Sequence, residues 1–201
     1  MTGICRRSVI HGGAAIFAAG ATGFSLARAK PGAADEPVGA LARRLLVGRE
    51  SQIPNRDVVG VVDYAAPSWR PRFHLIDMMN GRVSSFLVAH GRGSDPGHTG
   101  WLRQFSNEVG SNATSFGAYR TGEIYFGRHG RAMRLIGLDA ENSNAETRAI
   151  VIHAAWYVSQ TMLDKFGKLG RSEGCFALTE TALGDVLERL GPQRLLFAGK
   201  F

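Results

Sequence analysis

Ile150-Val151-Ile152-His153-Ala154-Ala155-Trp156-Tyr157 and, further on, Gly170-Arg171-Ser172-Glu173-Gly174-Cys175-Phe176-Ala177-Leu178 carry the reading of this chain. Ala149 to His153 is a continuous apolar run ending on an imidazole, the pattern of a strand covered on both faces. Tyr157 to Phe166 reads as a short helix, and Ser172 to Cys175 as a turn that delivers a thiol. Cys175 lies 22 positions after His153, a separation that a strand, a helical excursion and a return turn close. A thiol attacks carbonyls as thiolate, and an adjacent imidazole can take its proton. Gly174 lacks a side chain, so a substrate carbonyl could approach and the amides of Gly174 and Cys175 could face a developing oxyanion. Ser172 could orient the turn or add a donor. The alternative for Cys175 is a buried, inert thiol.

Downstream, Thr179 is an N-cap candidate, and Leu183, Val186, Leu187 and Leu190 recur at helical spacing, so Glu180 to Leu190 is expected to be helical. Gly191-Pro192 ends it, and Arg194 to Ala198, apolar on both faces, reads as a central strand. Upstream, Gly39 to Glu50 places Leu41, Leu45 and Leu46 on one helical face. Asp57 to Tyr64, Arg72 to Met79 and Arg82 to Ala89 read as strands, the last two joined by Asn80-Gly81, whose residues tolerate the positive φ of a tight hairpin. Gly91 to Gly110 is expected to be a long surface loop, in which His90, Arg92, Ser94, His98 and Arg103 either contact a ligand or are simply solvated. Phe116 to Tyr119 and Glu123 to Phe126 are read as separate short strands about Thr121-Gly122, with Ala132 to Leu138 a third. The expected fold class is mainly β with short helices (α+β).

The ends of the chain bear on where it works. Residues 1–29 resemble an export signal: Arg6-Arg7 precedes a weakly apolar run from Ile10 to Leu26, with Ala27-Arg28-Ala29 as a small-x-small cleavage pattern. A twin-arginine signal is favoured over a general secretory one. The run is short and broken by glycines, so no stable membrane insertion is expected after its removal. The remaining chain divides into a linker with a short helix, 30–56 (its first part, Lys30 to Pro37, read as a disordered connector), and a catalytic domain, 57–201. The formal charge of +7 falls to +4 once Arg6, Arg7 and Arg28 leave with the signal. The remaining basic residues are scattered and form no nucleic-acid motif, so a nucleic-acid partner is not expected. Cys5 also leaves, which makes Cys175 the sole cysteine of the mature chain in an oxidising, periplasmic compartment.

Ile152-His153 followed by Ser172-Glu173-Gly174-Cys175 resembles the signature of the L,D-transpeptidases, the YkuD-like enzymes of bacterial peptidoglycan, in which a histidine precedes Ser/Thr-His-Gly-Cys. Ser111 to Tyr119 is similar to the family's Thr-Pro-x-Gly-x-Phe region. The resemblance covers about residues 58 to 199. It departs at Glu173, in place of a histidine, at Ala154, where glycine commonly follows the catalytic histidine, and at Ala177. It implies a YkuD-like β-sandwich catalytic domain without a cofactor. In that domain Cys175 attacks a tetrapeptide stem, forms a thioester and releases D-Ala, and an amine of a second stem completes a 3-3 cross-link. His153 would be base and then acid, held by the carbonyl of Ala154. The expected site is thus Cys175, His153, Gly174 and Ser172, with Ala154, Arg171 and Tyr119 towards the substrate.

Two other readings stay open. The same fold could hydrolyse, as an L,D-carboxypeptidase or wall-protein hydrolase, or the chain could be a non-catalytic wall-binding module. Arg171, Arg120 and Arg128 either hold stem carboxylates or are solvated surface residues. His74, His90, His98, His129 and His153 have no metal-ligand spacing such as His-Glu-x-x-His, so no metal is expected. Oligomeric state is not legible.

Overall fold

The computed structural model describes residues 35–201, so the expected export signal lies outside the described residues. Helix α1 spans Asp35–Leu46 and so takes in the last residues of the expected connector. It is followed by β1 (Val58–Asp63), β2 (Phe73–Asp77), β3 (Val83–Phe86), β4 (Gly117–Gly127), β5 (Gly130–Gly137) and β6 (Val151–Ala154). Then come α2 (Gln160–Phe166), β7 (Phe176–Leu178), α3 (Glu180–Leu190) and β8 (Leu195–Gly199). The strands form one eight-stranded ladder in the order β3-β2-β1-β8-β4-β5-β6-β7.

Side chains of period two sort the faces. Val62, Phe73, Leu75, Tyr119, Leu196 and Ala198 share an inner core with Ile152, Phe176 and the apolar stripe of α3, Leu183, Val186, Leu187 and Leu190. Val59, Val61, Ile76, Leu195 and Phe197 point the other way, where Ala42 and Leu46 of α1 and Ile53 cover them. Helix α1 is therefore packed onto β1 and β2. Strand β8 lies between β1 (parallel) and β4 (antiparallel), as its uniformly apolar sequence requires. The Thr179 hydroxyl accepts from Ala182 N and caps α3.

Flat, the ladder would put β2 and β7 about 29 Å apart, at roughly 4.8 Å per strand. Instead it curls around α3, which packs against β1, β2 and β6, and its halves face each other as layers of a sandwich. The chain leaving β3 then crosses to the opposite edge. Ala89 N donates to Ala177 O (2.9 Å), Ser172 N to His90 O (2.9 Å) and Arg92 N to Ser172 O (2.8 Å). Gly91 pairs with Ser172 in this seam, and a Cβ on Gly91 would lie 2.3 Å from Asn112 O and 2.9 Å from the Gly174 Cα, so only glycine fits there.

A buried polar chain holds the seam from beneath. Arg72 donates through Nε and Nη2 to Val88 O (3.1 and 2.9 Å), through Nη1 to Ala66 O (2.9 Å) and through Nη2 to His90 Nδ1 (2.8 Å). His90 Nε2 then faces Asp95 Oδ2 at 3.4 Å, and Asp95 accepts from the amides of Thr99 and Gly100 (both 2.8 Å). Because Arg72 occupies Nδ1 as a donor, His90 is the neutral Nε2–H tautomer. Burial, and then the neighbouring Arg72 charge, push its pKa down to about 3. The unfolded chain therefore takes up a proton near pH 6.5 that the folded protein refuses until about pH 3. Stability that is complete above pH 6.5 is lost as the pH falls, at about 1.4 kcal/mol per pH unit. Urea melts between pH 7.5 and 4.5 are expected to show at least this slope, and His90→Gln to reduce it by the His90 share.

One expectation about strands is corrected, and one strand is added. The stretches about Thr121-Gly122 form one strand, β4, whose register against β5 shifts between Thr121 and Ile124. This bulge absorbs the residues that read as a turn. Strand β7, three residues between the Cys175 turn and the α3 cap, has no counterpart among the expected elements.

Candidate active site

Strands β6 and β7 run parallel with Ile152 opposite Phe176 and His153 opposite Ala177, and α2 supplies the crossover. Alternation puts Ile152 and Phe176 into the core and turns His153 to the other face. Cys175, one residue before β7, shares that face two positions from the residue opposite His153. Both line a cleft of about 650 Å³ together with Tyr125, Arg128, His129, Arg148, Tyr157 and Glu173.

His153 Nδ1 lies 2.8 Å from Ala154 O, which fixes Nδ1 as the protonated nitrogen of the neutral ring and leaves Nε2 as the basic one. The ring stacks on His129, with centroids 4.4 Å apart and planes 24° apart. Arg128 Nε donates to His129 Nε2 (2.9 Å). Burial lowers the His153 pKa, and the Ala154 carbonyl only partly offsets this; His129 and Arg128 lower it further. The His153 ring is therefore uncharged at neutral pH.

The Cys175 thiol donates to Ala149 O at 3.6 Å. Ala149 holds φ at 52°, in the left-handed region that a residue with a Cβ avoids, an energetic cost tolerated where the surrounding structure demands it. Burial raises the thiol pKa, an effect that Arg128 and Arg148 oppose. The resting pair is accordingly a neutral thiol and a neutral imidazole, with no ion pair formed.

Ser172 is buried and organises the turn: its hydroxyl donates to Cys175 O (2.7 Å) and accepts from Gly174 N (3.1 Å). The Gly174 amide, expected to face a substrate oxygen, is thus already engaged. Gly174 has φ 117°, and a Cβ there would lie 2.7 Å from Ala113 O and 2.9 Å from Ile150 Cδ1, so its absence of a side chain is needed for packing as well as for geometry.

Arg171 lines the cleft, but its Nη1 is engaged by Asp95 O and by Pro96 O (3.1 Å). Tyr119 is a correction. It is fully buried, its hydroxyl donates to Ser115 O (3.0 Å) and its ring packs edge-on against Phe176, so it supports the floor and meets no substrate. Of the loop residues, Arg92 reaches the cleft, while His90 and Ser94 are buried in the loop's support. His98 Nε2 contacts Leu169 O at 2.8 Å.

The sequence reading missed His129 and Arg148. His129 comes from the β4–β5 turn, and in the sequence it was weighed only as a metal ligand. Arg148 bonds to Ser106 O (2.8 Å), Ser115 Oγ and Ala113 O, tying the loop before β4 to the segment before β6. Among the described residues no group of three or more His, Cys, Asp or Glu could hold a metal ion. None of their helices is long and apolar enough to cross a membrane.

A mainly β domain of three short helices, with a cysteine and a histidine facing one basic cleft, defines the class. The chain belongs to the L,D-transpeptidase catalytic domain family of the YkuD type, whose model matches residues 40–198, and that family is tied to peptidoglycan. Among solved structures, the L,D-transpeptidase from Mycobacterium smegmatis is similar at 13% identity and TM-score 0.42, over 71% of this chain and 58% of that one. The L,D-transpeptidase from Xylanimonas cellulosilytica gives 13%, 0.43, 71% and 60%. The helical cell shape determining protein Pgp2 from Campylobacter jejuni gives 13%, 0.44, 84% and 57%. The chain thus spans about three fifths of the length of these structures. No curated protein matches it in sequence.

Proposed function

We propose that the protein is an exported peptidoglycan L,D-transpeptidase in which Cys175 is the nucleophile and His153 the base. The observation that supports this most is the placement of Cys175 and His153 on one face of neighbouring parallel strands, opening on a cleft whose walls carry Arg92, Arg128, Arg148 and Arg171. Such walls suit a substrate rich in carboxylates, as a stem peptide is.

The thiol first leaves Ala149 O and turns towards His153. As its sulfur adds to the carbonyl carbon before the terminal D-Ala of a tetrapeptide stem, its proton passes to His153 Nε2. The amide of Cys175 meets the oxyanion, since that of Gly174 is held by Ser172. The C–N bond breaks, and His153 returns the proton to the departing D-Ala amine, leaving a thioester. The side-chain amine of a second stem then adds to the thioester and gives its proton to His153. Cys175 leaves as thiolate and recovers that proton, and a 3-3 cross-link remains. Ala154 O stabilises the imidazolium in both steps.

Sacculi incubated with the protein and then digested are expected to yield 3-3 linked dimers. Accumulation of tripeptides alone would mean that water resolves the thioester and that the protein is an L,D-carboxypeptidase. Absence of both products would leave a wall-binding module.

A further inference from the structure

Glu173 is the single carboxylate lining a cleft that four arginines line, and it sits next to the nucleophile's own turn. Its two oxygens are divided: Oε1 lies 3.1 Å from Arg92 Nη2, and Oε2 lies 4.0 Å from Arg128 Nη2. The three residues come from three separate loops, after β3, between β4 and β5, and before β7. A carboxylate spread between two guanidinium groups is the arrangement a bound carboxylate ligand would take.

The four arginines are not equivalent. Arg148 and Arg171 direct their guanidinium groups at loop carbonyls and so serve the scaffold. Arg92 and Arg128 have Glu173 as their acidic partner, and all three side chains are more than half exposed. An exposed pair of this kind is worth little and is readily exchanged for another carboxylate. The backbone beneath is fixed, because Arg92 N bonds to Ser172 O and the Ser172 hydroxyl clamps the turn.

We propose that Glu173 is a resident carboxylate that fills the cleft's anion subsite, between Arg92 and Arg128, until a carboxylate of the incoming peptide displaces it. This makes Glu173 a determinant of affinity for acidic peptides; it rests on the stem-peptide reading of the cleft. A glutamate here lowers affinity for any single carboxylate but offsets the repulsion between the two guanidinium groups and leaves them unable to hold adventitious anions tightly.

The test is equilibrium binding, which needs no turnover. Calorimetric titration compares the Cys175→Ala protein with Cys175→Ala/Glu173→Gln, using a synthetic tetrapeptide stem with free carboxylates and the same stem amidated. Glu173→Gln is expected to tighten the free-carboxylate stem about two- to fivefold, the effect of one exposed pair, and to leave the amidated stem unchanged. Unchanged or weaker binding of the charged stem, or equal tightening of both, would overturn the inference. The stem-peptide reading is judged separately, on the unmodified protein: failure to acylate Cys175 or to convert any stem would sink that reading whichever way the titration falls.

Discussion

Cys175→Ala is expected to reduce transfer by roughly 10⁴- to 10⁶-fold, to background, and to abolish the mass adduct with a carbapenem, while the circular dichroism and melting curve stay those of the parent. The fold should survive because the turn does not depend on the thiol. Ser172 Oγ and the Gly174 amide hold it, and Ser172 contacts Cys175 only through its carbonyl. His153→Ala should cost about 10²- to 10⁴-fold in acylation, the range for loss of a general base. It should cost more than for a pre-formed thiolate, because burial holds the resting thiol protonated. Since burial also lowers the His153 pKa, the acid limb of the rate profile should lie below the ordinary imidazole value of 6.5. Undiminished acyl-enzyme formation by His153→Ala would remove it from the mechanism.

Arg72→Met should be the most damaging change outside the cleft. The guanidinium is completely buried, yet it remains charged at neutral pH although burial lowers its pKa to about 10. Its loss leaves the carbonyls of Ala66 and Val88 without their donor and the Asp95 charge without its counterion, which acts through His90. Breaking a buried charge network of this kind costs about 3–5 kcal/mol. At about 2–4 °C per kcal/mol for a domain of this size, the melting temperature should fall by roughly 6–20 °C. A loss below about 1 kcal/mol in urea titration would show that the network is not what anchors the seam.

Local signals were legible and non-local ones were not. Helix α3 could be read from the Thr179 cap to Leu190, and β8 could be placed at the sheet centre, because capping and periodicity reside in adjacent residues. The hairpin at Asn80-Gly81 was legible for the same reason. The strand break expected at Thr121-Gly122 failed because pairing of β4 with β5 and β8 outweighed a weak turn preference. Strand β7 is too short for any period to show. Cys175, His153, Gly174 and Ser172 were legible as a motif; His129, Arg148 and the division of Glu173 between two arginines depend on loops that meet only after the ladder curls. Tyr119 was placed towards the substrate through the resemblance of Ser111 to Tyr119 to a family region, whereas its ring lies in the core and Ser115 O satisfies its hydroxyl.

The hydrogen bonds that join the two edges of the ladder run through His90, Arg92 and Ser172, so the residues that shape the Cys175 turn also close the sheet. Catalytic loops usually breathe independently of the body that carries them. Here the turn and the closure form one cooperative unit: amide exchange at Ser172 and Arg92 should require the same opening as exchange at Ala89, and the turn has no cheap way to come loose by itself.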